Sequence, residues 1–339
     1  MAQANLYKII IDDSFEDMRI DKLLAVTPFM GGSEARTIED SGNDASQTGG
    51  QYVNGLSRSF IRKLIDNGDV QVNGKAVKAS FVPKYGDEIE LNLPEAVLPD
   101  IVPEDIPLDI VYEDNDVIVI NKPKGMVVHP AAGNYHGTMV NALMFHCKDN
   151  LSGINGILRP GIVHRIDKDT TGLIVACKND TAHRSLAEQL KEHSITRRYQ
   201  ALVNGTFKEE EGRIEASIGR SPSDRKKMAP NVKNGKEAVT HYRVLGVING
   251  EGQKKYTHVE CVLETGRTHQ IRVHMAYIGH PLVGDFVYGP YKEDAKVMGV
   301  DLRGQCLHAG VLGFEHPSTG KYMEFEAELP EYFKKLLAR

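Results

Sequence analysis

The sequence predicts an α+β protein that consists of two domains of unequal size. Three observations lead to this prediction. Short segments with apolar side chains at helical spacing are interspersed with runs typical of strands. The length of 339 residues exceeds what a single hydrophobic core usually organises. An acidic segment with several prolines, near residue 100, separates two parts of different charge.

Charge is unevenly distributed along the chain. Residues 1–94 carry 10 basic and 14 acidic side chains, and residues 95–117 carry eight acidic and no basic ones. Residues 118–339 carry 31 basic and 24 acidic side chains, a net charge of +7. The overall charge of −5 therefore conceals a basic C-terminal part, which favours a polyanionic partner such as a nucleic acid.

The acidic segment contains four prolines, at positions 94, 99, 103 and 107. Because proline has no backbone donor and disfavours helix, we interpret residues 94–107 as an extended linker. The predicted domains on either side of this linker are residues 1–93 and 108–339.

The composition excludes several classes of protein. With 41% hydrophobic and 26% charged residues, the chain is neither disordered nor fibrous. Its apolar runs, such as residues 173–177, are much shorter than a membrane span, and the N-terminus lacks the layout of a secretion signal. We therefore expect a cytoplasmic protein without a membrane partner. No CxxC pair predicts a zinc ribbon, and the four cysteines lie too far apart in sequence to suggest a disulfide framework.

Two short amphipathic helices are predicted in the first domain. In residues 18–26 and 56–65, apolar side chains recur at helical spacing, and Ser57 is a suitable N-cap for the second helix. The apolar face of the second helix includes Phe60, and its other side carries three basic residues, Arg58, Arg62 and Lys63. The Asn73-Gly74 pair that follows predicts a hairpin turn between two short strands.

These two helices, followed by a hairpin with the sequence VNGK, resemble the S4 (alpha-L) RNA-binding domain. The resemblance implies RNA contacts by Arg58, Arg62 and Lys63, although a solvated helix face would explain the same charges. Residues 29–54 depart from the S4 pattern because they place a segment rich in Gly, Ser, Asn and Asp between the helices. We expect this segment to be a flexible insertion.

The second domain contains several segments with the composition of strands. The segment 162–163 is a short candidate strand, and longer strands are predicted at 116–121, 172–177, 198–204, 238–247, 256–263 and 321–327.

The polar loop before residue 172 gathers potential catalytic side chains, His164, Arg165, Asp167, Lys168 and Asp169. A loop held between apolar strands can fix a reactive side chain rigidly. Further along, an arginine pair precedes Tyr199, and a helix is predicted from Gly266 with Arg267, His269, Arg272 and His274 in its early turns.

Three other kinds of site fit these fragments poorly. His269 and His274 are five residues apart and do not match the spacing of an HExxH metal site, so polar packing or RNA contact explains them better. HRIDK differs from the kinase HRD motif because Ile166 intervenes, and no DFG is present. Asp167 and Asp169 are two residues apart on an extended segment, which directs their carboxylates to opposite faces, so only one is expected to act on a substrate.

GIVHRIDKDTTG, at 161–172, resembles the HRLDxxTSG motif of the RluA family of pseudouridine synthases. The segments NKPKGMVVHP, RRYQALVNG and TGRTHQIRVHMAYIGHPLVGD resemble the other segments of this family in the same order. The likeness covers residues 108–339, and the S4-like domain in front is typical of the RluD-type enzymes of large-subunit rRNA. It implies a catalytic domain with a mixed, mostly antiparallel sheet flanked by helices. The implied reaction isomerises uridine to pseudouridine in RNA and needs no cofactor and no metal.

The resemblance also implies roles for individual residues. Asp167 would act where the sugar joins the base, either by covalent attack or by abstracting the 2′ proton. Arg272 would pair with Asp167 and keep it ionised. Tyr199 would stack on the uracil and assist removal of the C5 proton. Arg165 would enter the space left by the flipped uridine, with His164 and Arg267 as further RNA contacts.

A basic loop formed by Arg225, Lys226 and Lys227 either clamps phosphates or is a solvated run of charge. The same two interpretations are open for Arg197 and Arg198.

The predicted partner is RNA, most simply large-subunit rRNA or an assembling large subunit, and the expected state is a monomer. Two other functions remain as hypotheses. One is a non-catalytic S4-type RNA-binding protein or ribosome assembly factor. The other is a nucleoside or sugar hydrolase that uses Asp167.

Overall fold

The chain forms two compact units, Met1–Leu98 and Pro99–Arg339. The computed structural model describes residues 5–12, 17–26, 29–30, 52–53, 58–93, 101–130, 134–148, 150–154, 159–224, 227–292 and 296–338. Ser57, Arg225, Lys226, residues 94–100 of the predicted linker and most of the predicted insertion lie outside these residues. Within the described ranges, no helix has the length and apolar character needed to cross a membrane.

The first unit packs two helices against a four-stranded sheet. Its elements are β1 (Asn5–Ile10), α1 (Ile20–Val26), β2 (Phe29–Met30), β3 (Tyr52–Val53), α2 (Arg58–Asn67), β4 (Val70–Val72), β5 (Lys75–Ala76) and β6 (Glu88–Leu93). The sheet has the order β1-β6-β4-β5 with antiparallel neighbours, and β2 pairs with β3. Both predicted helices are confirmed within two residues, whereas β1 was not predicted.

Helix α2 and the hairpin after it follow from local sequence. The helix buries Ile61, Leu64 and Ile65, which form a stripe at i, i+3 and i+4. Phe60, which the helical spacing placed on the same apolar face, is 39% exposed because it lies one position off this stripe. In the turn between β4 and β5, Asn73 and Gly74 have φ of +50° and +72°, the conformation expected for a two-residue hairpin.

The second unit is built on a large mixed sheet. Its strands are β7 (Ile110–Glu113), β8 (Val117–Lys122), β9 (Thr171–Cys177), β10 (Thr196–Asn204), β11 (Glu211–Glu215), β12 (Ile218–Arg220), β13 (Met228–Pro230), β14 (Val239–Asn249), β15 (Lys255–Leu263), β16 (Lys296–Val297), β17 (Val300–Asp301), β18 (Leu307–Glu315) and β19 (Tyr322–Glu326). Its helices are α3 (Met139–Cys147), α4 (Asp180–Lys191), α5 (Gln270–Tyr277) and α6 (Glu331–Leu337).

Nine of these strands form one sheet in the order β11-β14-β15-β10-β18-β9-β8-β7, and β19 also pairs with β18. The pairing is antiparallel throughout except between β9 and β18. The expected mixed, mostly antiparallel sheet flanked by helices is therefore confirmed.

The central strands are buried on both faces. In β8, Ile118 and Ile120 pack in the cluster that includes α3 and α5, while Val117 and Val119 pack on the opposite face with α4. Burial of each such side chain contributes about 1.5–3 kcal/mol to stability. This two-sided packing makes a rigid platform, and the residues that follow or precede its strands are held in place by it.

The predicted strands agree with the structure in most places. All six longer segments form strands whose ends lie within two residues of the predicted ones. The short strand at Ile162–Val163 is wrong, because Ile162 makes only an isolated bridge to Ala176. Strands β7, β11 and β18 were not predicted.

Candidate active site

A pocket of about 520 Å³ in the second unit is lined by the polar loop before β9, part of β10 and the turn before α5. A single carboxylate, that of Asp167, lines this pocket. Six basic side chains line it as well: Arg159, Arg165, Lys191, Arg197, Arg267 and Arg272. This excess of positive charge in a concave site favours an anionic ligand.

The loop that carries Asp167 is held in place by Lys122, the last residue of β8. The Lys122 ammonium donates hydrogen bonds of 2.9 Å to the carbonyls of Pro123, Met126 and Lys168. Burial lowers the pKa of Lys122 to about 7, although the nearby charges of Asp169 and Asp167 oppose that shift. Three carbonyl acceptors match the three donors of an ammonium group, so Lys122 reinforces a contact between two turns that the Gly125 N–H also makes, at 3.0 Å from the Lys168 carbonyl.

Asp167 is paired with Arg272, which α5 presents from the other side of the pocket. The Arg272 Nη1 lies 2.8 Å from Asp167 Oδ2. Its Nε and Nη2 donate to Asp285, at 2.6 and 3.0 Å. One guanidinium thus bridges two carboxylates, of which Asp285 is fully buried and Asp167 faces the pocket.

The positive charge of the Arg272 guanidinium is permanent. Burial acts to lower the pKa of Arg272, but the hydrogen bonds and charges of Asp285 and Asp167 raise it above its usual value. Asp285 also accepts hydrogen bonds from the backbone N–H groups of Val287 and Tyr288, which fix its orientation. The guanidinium is therefore held in place before any substrate arrives.

Tyr199 on β10 forms another wall of the pocket. It is 7% exposed, and its hydroxyl has no hydrogen-bond partner among the described residues. Burial raises the pKa of Tyr199, so the phenol is protonated at neutral pH. Its ring is available to stack on a base that enters the pocket.

His269 lies beside Asp167 in a strained conformation. Helix α5 begins at Gln270, so the predicted start at Gly266 is wrong: Arg267 and His269 precede the helix, and His269 has a left-handed φ of +57°. Its Nε2 is 3.8 Å from Asp167 Oδ1, and its Nδ1 is 2.8 Å from the Tyr288 hydroxyl. Burial lowers the pKa of His269, so the ring is neutral at pH 7.

The tautomer of His269 follows from its neighbour. The Tyr288 hydroxyl accepts the backbone N–H of Met228, which leaves its own proton to donate to His269 Nδ1. The ring proton then resides on Nε2, facing Asp167. His274, by contrast, is fully buried and hydrogen-bonded to Thr240 and to the Ala216 carbonyl, as expected for polar packing.

The remaining residues predicted in the second domain have different positions. His164 lines the pocket, but its Nε2 accepts the N–H of Val175 at 3.1 Å, and burial lowers its pKa to about 3. Arg165 is exposed at the pocket and donates to the Thr268 hydroxyl at 2.7 Å. Arg267 also lines the pocket and donates to the Glu237 carbonyl at 2.9 Å. Lys227 lies next to β13, away from the pocket lining.

In the first unit, α2 exposes Arg58, Arg62 and Lys63. Sequence reasoning missed the carboxylate that arranges two of them. Asp21 of α1 is fully buried and lies 3.0 Å from Arg58 and 3.7 Å from Arg62, with Arg19 at 3.1 Å. Burial acts to raise the pKa of Asp21, but the hydrogen bond from Arg58 and the charge of Arg19 lower it below its usual value.

Two further residues of the pocket region were not identified from sequence. Asp285 ends the segment PLVGD, and its pairing with Arg272 cannot be inferred from their separation along the chain. His129 of the VVHP segment lines the pocket, with a buried Nδ1 that has no partner among the described residues. Asp285 and His129 both lie in segments that resemble family motifs, and this location was the only indication in the sequence that they belong to the site.

The described residues contain two groups of side chains that could ligate a metal. They are Glu113, His146 and Cys147, and Asp114, Asp116 and His316. Neither group contributes a residue to the pocket. Glu113 already pairs with Lys178, and His316 already pairs with Asp114 and lies 3.8 Å from Asp116, so we assign no metal site to either group.

The fold and the pocket define an enzyme of nucleic-acid chemistry: a basic cavity, an aromatic wall and one carboxylate held by a buried arginine. Residues 116–277 match the model of the RNA pseudouridylate synthase family, and residues 53–89 match that of the S4 domain. The uncharacterized RNA pseudouridine synthase YlyB of Bacillus subtilis strain 168 is 54% identical over 284 residues, covering 84% of this chain and 89% of that protein.

Other relatives agree. The ribosomal large subunit pseudouridine synthase D of Pseudomonas aeruginosa is 43% identical, with 89% of this chain and 93% of that protein covered. Among solved structures, human RNA pseudouridylate synthase domain containing 1 has a TM-score of 0.53 at 26% identity, covering 66% of this chain and 84% of that one. The chain therefore belongs to the RNA pseudouridine synthases, isomerases that convert uridine to pseudouridine within RNA, and it carries an S4 domain. The resemblance to the RluA family and its RluD-type members is confirmed.

Proposed function

We propose that this protein converts uridines of large-subunit rRNA to pseudouridine, with Asp167 as the residue that acts on the sugar. The observation that carries the proposal is the bridge Asp167–Arg272–Asp285, which holds a carboxylate at the wall of an otherwise basic pocket. The relatives named for the ribosomal large subunit support the choice of RNA.

The reaction moves one bond and one proton. The N1–C1′ bond breaks, the uracil turns, C5 bonds to C1′, and the proton on C5 is lost while N1 gains one. Asp167 acts as nucleophile or base towards the sugar, and the Arg272 guanidinium, 2.8 Å away, stabilises its negative charge. Tyr199 stacks on the uracil and assists removal of the C5 proton.

The target uridine starts in a stacked RNA and must be flipped into the pocket. Arg165, exposed at the pocket, is suited to take the vacated position because its planar guanidinium stacks on bases. His164 and Arg267, which line the pocket, would add RNA contacts there. The basic run of Arg225, Lys226 and Lys227 would bind RNA phosphates. In the first unit, Arg58, Arg62 and Lys63 would bind phosphates of the RNA.

The proposed setting follows from this substrate. An rRNA enzyme would act in the cytoplasm, before or during assembly of the large subunit. We also propose that it acts as a monomer, because Asp167, Arg272 and Tyr199 of this chain already line one pocket together.

The test is carbodiimide-based mapping of pseudouridine in total RNA from cells with and without the protein. We expect one or a few large-subunit positions to lose the modification and to regain it when the wild-type protein is restored. Restoration by Asp167→Asn would contradict the assigned chemistry. An unchanged pseudouridine map would contradict the substrate and favour a non-catalytic RNA-binding role.

A further inference from the structure

Arg197 occupies a special position in the pocket. It lies on β10 two residues before Tyr199, and both side chains point to the same face of the strand and line the pocket. Only 7% of Arg197 is exposed. The backbone positions of Arg197 and Tyr199 are about 7 Å apart along the strand, so a buried guanidinium lies beside the aromatic wall of the pocket.

This guanidinium has no compensating anion. Its Nη2 donates to the Glu264 carbonyl at 3.3 Å, and its buried Nε has no hydrogen-bond partner among the described residues. None of the ion pairs formed by the described residues includes Arg197. Its neighbour Arg198 pairs with Glu324 at 2.7 Å, and Arg272 pairs with two carboxylates.

The absence of a side chain at Gly266 leaves room for the Arg197 guanidinium. Gly266 faces it so closely that a Cβ on Gly266 would lie 2.6 Å from Arg197 Nη1. The single pocket carboxylate, Asp167, is already held by Arg272. Burial lowers the pKa of Arg197, opposed only by Tyr199, whose phenol is neutral at pH 7, yet an arginine stays charged in any protein environment. The cost of burying this charge is therefore offset only when a ligand brings an anion.

We propose that Arg197 binds a backbone phosphodiester that flanks the flipped uridine and so positions the nucleotide whose base stacks on Tyr199. This inference rests on the proposed function, which makes RNA the ligand of the pocket. The phosphodiester is the anion that every RNA nucleotide carries, and the planar fork of arginine matches its oxygens in pairs. Arg197 is thus a binding and positioning residue, distinct from the Asp167–Arg272 pair that acts on the sugar.

The experiment measures binding and turnover on a short RNA with one target uridine. The matched RNAs carry a neutral methylphosphonate on the 5′ or on the 3′ side of that uridine. With Arg197→Met we expect the Kd to rise by about ten- to a hundred-fold, the range for loss of a charged hydrogen bond. The slope of log Kd against log salt should fall by about 0.7, the value for one single-strand phosphate.

The neutral linkage gives the sharper result. At one of the two positions, the methylphosphonate should weaken binding to the wild type and leave binding to Arg197→Met unchanged, because the contact is already absent. Gly266→Ala, which displaces Nη1, should weaken binding in the same direction. Arg198→Met, which removes an ion-paired arginine of the same strand, should bind RNA like the wild type.

A purely structural role is distinguished by stability. Removing an uncompensated buried charge should raise the Tm of Arg197→Met, whereas loss of a supporting hydrogen bond would lower it. A lower kcat with unchanged Kd and salt slope would overturn the proposal and assign Arg197 to the uracil instead. Failure of the proposed function would look different: the wild-type protein itself would then not isomerise the target uridine.

Discussion

At the level of single residues, the proposed chemistry depends on how the Arg272 guanidinium is shared between Asp285 and Asp167. Arg272 is fixed on one side by Asp285, which is buried and accepts two further backbone hydrogen bonds. The third guanidinium nitrogen is left for Asp167. Asp167 is therefore oriented by a group that does not need to move, and its other oxygen faces His269 and the pocket.

We predict that Asp285→Asn lowers stability and kcat together. The substitution keeps the shape but removes the charge that holds Arg272, and breaking a buried pair costs about 3–5 kcal/mol. Arg272 would then be neutralised by Asp167 alone, which weakens the carboxylate as a nucleophile or base. Urea unfolding and single-turnover rates on an RNA fragment check both effects. A variant with normal stability and normal rate would contradict the bridging role of Arg272.

His164 predicts a specific dependence of stability on pH. Burial lowers its folded pKa from the ordinary 6.5 to about 3, so below about pH 6.5 only the unfolded chain takes up this proton. The free energy of unfolding should therefore fall as the pH decreases, by about 2 kcal/mol between about pH 7 and pH 5 from this residue alone.

The control for this prediction is His164→Gln, whose amide oxygen can accept the same hydrogen bond from Val175. Urea titrations at both pH values compare the two proteins, which share every other histidine. The wild type should lose more stability on acidification than the variant. Equal losses would show that His164 is not held neutral.

At the level of elements, Lys122 at the end of β8 links the turn that follows this strand to the loop that carries Asp167. Its three backbone acceptors are the carbonyls of Pro123, Met126 and Lys168, so it connects the turn after β8 to the loop before β9. The position of the carboxylate therefore depends on a buried ammonium that never contacts the pocket.

We expect Lys122→Met to loosen this loop. The substitution leaves the Pro123 and Met126 carbonyls without their donor and the Lys168 carbonyl with the Gly125 N–H alone, and each unsatisfied group costs about 1–3 kcal/mol. Amide hydrogen exchange should speed up in residues 163–170, and kcat should fall more than the affinity for RNA. Exchange that stays as slow as in the wild type would contradict the anchoring role.

Element boundaries show where sequence reasoning succeeds and where it does not. The Asn73-Gly74 hairpin and the buried strand at 117–122 were predictable because their local patterns allow one interpretation. Strand β18 was missed because a strand buried on both faces shows no alternation, and Gly310 and Gly313 interrupt its apolar run. The start of α5 was misplaced because the left-handed His269 leaves no mark in helical spacing.

At the level of the whole molecule, net charge was a misleading guide until it was divided among segments. The acidic residues before position 118 outweigh a C-terminal part of net charge +7, in which one pocket carries six basic side chains. The family was predictable because ordered motifs identify it, and the place of Asp167 in the pocket was predictable because it lies in one of those motifs. Two features were not predictable: the bridge from Arg272 to Asp285, and the burial of Arg197 without an ion-pair partner. Both depend on contacts between residues that are far apart in the sequence.

We predict that the S4 unit contributes affinity rather than chemistry. Replacing Arg58, Arg62 and Lys63 together by Gln should weaken binding to rRNA and reduce the salt slope by about 2, the value for three phosphate contacts on single-stranded RNA. The rate at saturating RNA should stay as in the wild type. A charge-matched control replaces three exposed lysines of the second unit, Lys208, Lys254 and Lys255. Equal effects of both triple variants would contradict a specific role for α2.

The most direct measurement of the central claim is single-turnover conversion of uridine in an rRNA fragment by Asp167→Asn, with Asp169→Asn as the matched control. The two carboxyls lie on one loop, but only Asp167 lines the pocket and pairs with Arg272. We predict that Asp167→Asn lowers the rate by about a thousand-fold or more while RNA is still bound, and that Asp169→Asn stays within about ten-fold of the wild type. Conversion by Asp167→Asn at the wild-type rate would contradict the account.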